Sequence, residues 1–329
     1  MFLLLLAFTS FAIASPLLLP YRLLIHYFIG VLPQALGNMI HLLMILFDPE
    51  EFRSILHDLN LVDDQLREMG ALIQSPNLTK TMAVIVLSQL CALLKSLTLI
   101  YMLIGYTNMI ALYLVFNAAW NQHLTFVQLI HSRFSALNDQ LTRIAASADQ
   151  TLLQIVETRL DSVFRVHSTL HVIVSNVNSH FCVFNLFYVT SLFFNMVFFS
   201  YDTFDMMIQE KSLIDYKIYI TLYLLVNLVC QIVTCHLCAN EANRTAEIAH
   251  HILHRDSPSL WEKIGNYSRL TIDNPVKFTV GGIFTFNMEL LTKIAAMTFS
   301  YLVIVFQLKD IDLFVPVSKN KTAVNSTVG

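Results

Sequence analysis

The chain has 329 residues, of which 56% are hydrophobic and only 13% charged, and its net charge is -3. This is far too apolar for a soluble domain, and the acidic balance argues against a nucleic-acid partner. The composition is that of a polytopic membrane protein. Gly and Pro are scarce and the apolar segments are long, so the spans are helices rather than barrel strands.

Residues 2–19 are apolar and uncharged. Two readings fit them: a secretory signal ending in Ala-Ile-Ala-Ser, though without a basic n-region, or a short first span. The second span is 23–47, with Pro33 as a tolerated kink. After Asp48-Pro49-Glu50-Glu51 comes an amphipathic loop helix with Phe52, Ile55, Leu56, Leu59, Val62, Leu66 and Met69 at helical spacing. The apolar run from Met82 to His131 is too long for one crossing. It divides near Gly105-Tyr106-Thr107-Asn108 into spans 82–104 and 108–130. The second of these turns polar at Asn117, Trp120, Asn121, Gln122 and His123, as a helix leaving the membrane inside a bundle does.

From 131 to 175 charges alternate with an apolar stripe made of Phe134, Leu137, Leu141, Ile144, Leu153, Val156, Leu160, Val163, Leu170 and Val174. The period is helical. The stripe predicts two helices that extend their spans past the bilayer, broken near Ser147-Ala148-Asp149 and packed in a common intracellular bundle. The fifth span is 181–200 and the sixth 216–238, and a second extension covers 239–281. The last span is 282–308. Its uncharged part, Ile294 to Leu308, reaches only about 22 Å against the roughly 30 Å of a hydrocarbon core, so Glu289 and Lys293, four apart and able to pair, need shelter. The expected fold is therefore an all-α seven-helix membrane bundle, or six helices if 2–19 is cleaved, extended into an intracellular anchor as a single receptor domain over 1–329.

Other constellations carry less. Cys91, Cys182, Cys230, Cys235 and Cys238 lie in or beside apolar segments and form no disulfide framework. Cys235-His236-Leu237-Cys238 lacks a second pair, and His250, His251 and His254 lack the glutamate of a zincin helix, so no metal site is read. Neither a phosphate loop nor a nucleophilic triad is present, so neither an enzyme nor a cofactor is expected. Lys95, inside a span, is read as snorkelling or paired. Tyr101, Tyr113, Asn195, Tyr219 and Tyr223 fall in the outer halves of their spans, where they either line a small-molecule pocket or serve as interfacial residues. Basic residues weakly favour the side holding Arg53, Arg67, Arg133, Arg143 and Arg244 as the inside.

Ser300-Tyr301, then Leu-Val-Ile-Val-Phe, then Gln307-Leu308 resembles the Thr-Tyr, five hydrophobics, Gln-Phe signature that closes insect gustatory receptors. FTVGGIFTFN before it, Arg133-Phe134 with Asn138, and Phe52 to Leu66 are similar to further stretches of that family. Ser300 and Leu308 depart from the pattern. The chain also lacks a cytoplasmic lead-in, as an N-terminally shortened member would.

The resemblance implies a tetrameric ligand-gated cation channel in the plasma membrane of a sensory neuron, gated by a small-molecule tastant and shared or not with sister receptors. It places the N-terminus inside and the C-terminus outside. It puts Tyr301, Ile304, Val305, Gln307 and Leu308 at the pore and gate, and the Glu289–Lys293 pair in the anchor. The alternatives are a G-protein-coupled receptor of opposite topology, a transporter, for which internal repeats are lacking, and a degenerate, nonfunctional receptor.

Overall fold

The computed structural model describes residues 32–47, 49–71, 107–147, 153–208, 216–250 and 258–314. Segments 2–19 and 82–104, with Tyr101, lie outside the described residues. So do the side chains of Tyr113, Tyr219, Val305 and Leu308. The described residues form eight helices and one short hairpin.

Helix α1, Leu32–Phe47, ends where Asp48-Pro49 intervenes, and α2, Pro49–Glu68, starts on that proline. Proline is suited to the first helical position because its missing N–H has no partner there. Glu50 and Glu51 in the first turn and Arg67 in the last complement the helix dipole. Ile55, Leu59, Val62 and Leu66 form the buried face of α2 against α4 and α3, so this loop helix is part of the core.

Helix α3 runs from Thr107 to Ser147, 41 residues. At about 1.5 Å per residue that is about 62 Å, twice a hydrocarbon core, so its second half stands outside any bilayer that its first half crosses. α4, Leu153–His180, returns beside it. The sequence stripe lies in the core on both helices, since Phe134, Leu137, Leu141, Ile144, Val156, Leu160, Val163, Leu170 and Val174 are all buried.

α5, Cys182–Ile208, and α6, Tyr216–His250, each contain a stretch long and apolar enough to cross a membrane. α5 packs on α1 so closely that a Cβ on Gly37 would lie 2.8 Å from Phe187 Cβ. α6 runs the length of α3 and carries α7, Pro258–Asp273, on its lower end.

The final stretch departs from the expected helix over 282–308. The helix starts only at Met288, as α8, Met288–Phe314. Before it, β1, Thr279–Val280, pairs antiparallel with β2, Phe284–Thr285. Gly281 and Gly282 make the turn with φ of 58° and 71°, the positive angles that a tight hairpin demands. Two asparagines hold this segment in place. Asn178 of α4 donates to Lys277 O (2.8 Å) and accepts from Thr279 N–H (3.1 Å). Asn243 of α6 does the same with Val276 O (3.1 Å) and Val276 N–H (3.0 Å). Asn287 then caps α8, its Oδ1 accepting from Leu290 N–H at 3.0 Å.

Candidate functional site

α8 rests on α5 and α6 by one narrow stripe, Leu290, Ile294, Thr298 and Leu302, spaced four apart. Between Thr292 and Ile304 the other described side chains are uncovered within the chain although most are apolar. Phe299 is 69% exposed, Tyr301 47% and Ile304 49%. At 100° per residue Ile304 turns about 200° away from Leu302, and Gln307 is exposed as well. Tyr301 keeps one ring contact, edge-on to Phe193 of α5 at 5.8 Å. At the start of the helix Lys293 Nζ lies 2.7 Å from Glu289 Oε1, both side chains well exposed. Of the five outer-half residues, the structure describes the side chains of two. Asn195 is buried and donates to Ser191 O (2.9 Å) and Oγ (3.1 Å), and Tyr223 packs half-buried on the core.

Behind α8 lies a buried polar core. Trp120, Asn121 and His123 all face inward from α3. His123 is fully buried, its Nδ1 2.6 Å from Gln231 Nε2 of α6 and its Nε2 3.3 Å from Asn185 Nδ2 of α5. One residue earlier, Gln122 Oε1 lies 3.2 Å from His41 Nε2 of α1. The His41 ring is edge-on to His180 at 5.8 Å, and His180 Nδ1 stands 3.1 Å from Glu51 Oε2 at the start of α2. Polar side chains from six helices thus meet at the level where α4 gives way to α5.

The sequence marks Trp120, Asn121, Gln122 and His123 only as the polar end of a span that leaves the membrane inside a bundle, and does not single out Asn185, Gln231, His41 and His180. Polar residues isolated in apolar spans are the signal that marks them, because hydrocarbon does not tolerate such groups unpartnered.

Below this core the helices are held by further buried polar bonds. Asn138 Nδ2 donates to Glu241 O and Oε1, both at 2.8 Å, and its Oδ1 accepts from Thr245 Oγ1 at 2.7 Å. Arg133 pairs with Asp63 of α2 at 2.7 Å. His167 Nε2–H donates to Ala242 O at 3.1 Å, beneath Tyr267, which stacks on Phe164 at 3.8 Å. Burial pushes the Tyr267 hydroxyl pKa up. Among the described residues no group of three His, Cys, Asp or Glu side chains could hold a metal. Cys235 and Cys238 are buried in the core while His236 bonds to Asn240 on the helix surface, so the Cys-His-Leu-Cys run is split between two faces of α6.

A family model described as 7tm Chemosensory receptor matches residues 20–311. The chain belongs to that family. It is therefore a multi-pass membrane chemoreceptor and not an enzyme, inserted with the family's N-terminus-inside topology. That orientation is opposite to a G-protein-coupled receptor's, and that reading falls. Among solved structures, the chemoreceptor fold is similar to the insect olfactory receptor OR5 from Machilis hrabei, at a TM-score of 0.70 and 10% identity over 93% of this chain and 87% of that one. A second structure of OR5, in complex with eugenol, gives a TM-score of 0.68 and 11% identity over the same shares. No curated protein matches the chain significantly.

Proposed function

We propose that this chemoreceptor is a gustatory receptor: a ligand-gated, non-selective cation channel opened by a small tastant, assembled as a tetramer alone or with sister receptors. The observation that carries the reading is the uncovered face of α8. A helix that buries one stripe and leaves Tyr301, Ile304 and Gln307 outside needs covering by lipid or by other copies of itself. An apolar ring broken by an amide suits a gate, because a narrow hydrophobic constriction excludes water while the amide replaces ion hydration once it widens.

Tyr301, Ile304, Val305, Gln307 and Leu308 are assigned to the pore on this reading, and the Glu289–Lys293 pair to the anchor beneath it. Tyr101, Tyr113, Asn195, Tyr219 and Tyr223 are assigned to the tastant pocket. The similarity to a fold that holds eugenol in OR5 supports a small-molecule ligand, and the Ser-Tyr to Gln-Leu ending supports the gustatory branch. The test is a recording from cells expressing the chain under a panel of sugars, bitter compounds and eugenol. Wild type conducts in response to one of them, and Gln307→Ala changes conductance or basal opening at unchanged surface expression. Identical currents in the variant remove Gln307 from the pore. Silence of a surface-expressed wild type leaves a degenerate receptor.

A further inference from the structure

We propose that His123 is a two-position hydrogen-bond switch that positions α5, α6 and the lead-in to α8. The proposal deepens the channel reading and rests on it for its link to gating. Both ring nitrogens face amide nitrogens, Gln231 Nε2 at 2.6 Å and Asn185 Nδ2 at 3.3 Å. A neutral imidazole has one N–H and one lone pair, so it cannot accept from both amides. One amide must present its oxygen instead. The oxygen and nitrogen of an amide occupy nearly the same shape, so either can turn.

Neither turn breaks another bond, because Gln231 Oε1 and Asn185 Oδ1 are both buried without a hydrogen-bond partner. Two arrangements therefore satisfy both ring nitrogens. In one, Nδ1–H donates to the Gln231 oxygen and the Asn185 amide donates to Nε2. In the other, Nε2–H donates to the Asn185 oxygen and the Gln231 amide donates to Nδ1. Exchange moves one proton from Nδ1 to Nε2 by way of a water molecule that accepts one proton and returns another, with no change of net charge.

The ring is placed to transmit that difference. It lies edge-on to Phe181 at 4.9 Å, at the α4–α5 junction, and 6.1 Å from Phe286. Phe286 N–H donates to Phe278 O at 2.8 Å beside the hairpin, and α8 begins two residues later. α5 and α6, which supply the two amides, are also the helices on which α8 rests. His123 thus touches α5, α6 and, through Phe286, the segment that leads into the last helix. It is a positioning residue, since it acts on the pore only through them.

The decisive test is the tautomer state of His123 in the full chain in lipid nanodiscs, read by nitrogen NMR of labelled histidine and assigned by the signal lost in His123→Gln. Both neutral tautomers are expected in wild type, and a single tautomer overturns the switch. A carboxylate only accepts, so Gln231→Glu draws the proton to Nδ1 and Asn185→Asp draws it to Nε2. The two variants then shift ligand-free current in opposite directions, each by roughly five-fold, about the net effect of one hydrogen bond on a two-state equilibrium. Shifts of the same sign mark a merely structural cluster and overturn the proposal. If either variant fails to reach the surface, the wild-type tautomer measurement still decides. A surface-expressed wild type silent with and without the ligand panel counts against the working channel and leaves the tautomer result standing.

Discussion

At the scale of single residues, Arg133, Asn138 and His167 in the lower bundle each join one helix to another. Arg133 and Asp63 are both largely buried, so removing either strands a charge that no other described group neutralises, a loss of several kcal/mol where replacing both is far milder. His167 makes a prediction about pH. Burial lowers its pKa from 6.5 to about 4, with nearby His171 adding to the effect and the bond to Ala242 O opposing it. The unfolded chain therefore binds a proton between these values that the folded one does not. Stability is full above 6.5 and declines as pH falls toward 4, by about 3 kcal/mol. His167→Gln keeps a donor for Ala242 O but cannot titrate. Its melting temperature in detergent should fall less between pH 7 and pH 4 than that of wild type, whereas parallel curves for the two proteins would remove His167 from this role.

At the scale of elements, the hairpin before α8 carries the clearest prediction. Gly281 and Gly282 share a positive φ, so alanine at either costs about 1 kcal/mol of backbone strain. Only Gly281 is also crowded, since a Cβ there would lie 3.1 Å from Leu186 Cβ, while one on Gly282 would meet nothing within 4 Å. Gly281→Ala should lower the melting temperature more than Gly282→Ala, and equal losses would show that the hairpin does not press on α5. This element is also where sequence and structure part. Phe134, Leu137, Leu141 and Ile144 repeat at three and four residues, so the buried face of α3 is readable from spacing. Strands of two residues have no period, and Gly281-Gly282 reads as the entry to a helix until their angles are known.

At the scale of the whole molecule, the polar core is legible only in part. Gln122 and His123 stand out as polar residues in an apolar helix, but their partners are 62 to 108 positions away and no local pattern connects them. The same limit holds for α8. Its apolar length is plain from Ile294 onward, yet only packing reveals which side is covered, with Leu302 against the bundle and Ile304 and Gln307 turned outward. On the channel reading proposed above, that outward side is the wall of a cation path.

Cysteine accessibility along α8 tests this most directly. A membrane-impermeant methanethiosulfonate reagent is applied to cells carrying Leu302→Cys, Ile304→Cys or Gln307→Cys, with wild type as the control for native thiols. The expected result is altered current at positions 304 and 307 and none at 302. Modification at 302 with no effect at 304 or 307 would contradict a pore formed by the uncovered face of the last helix.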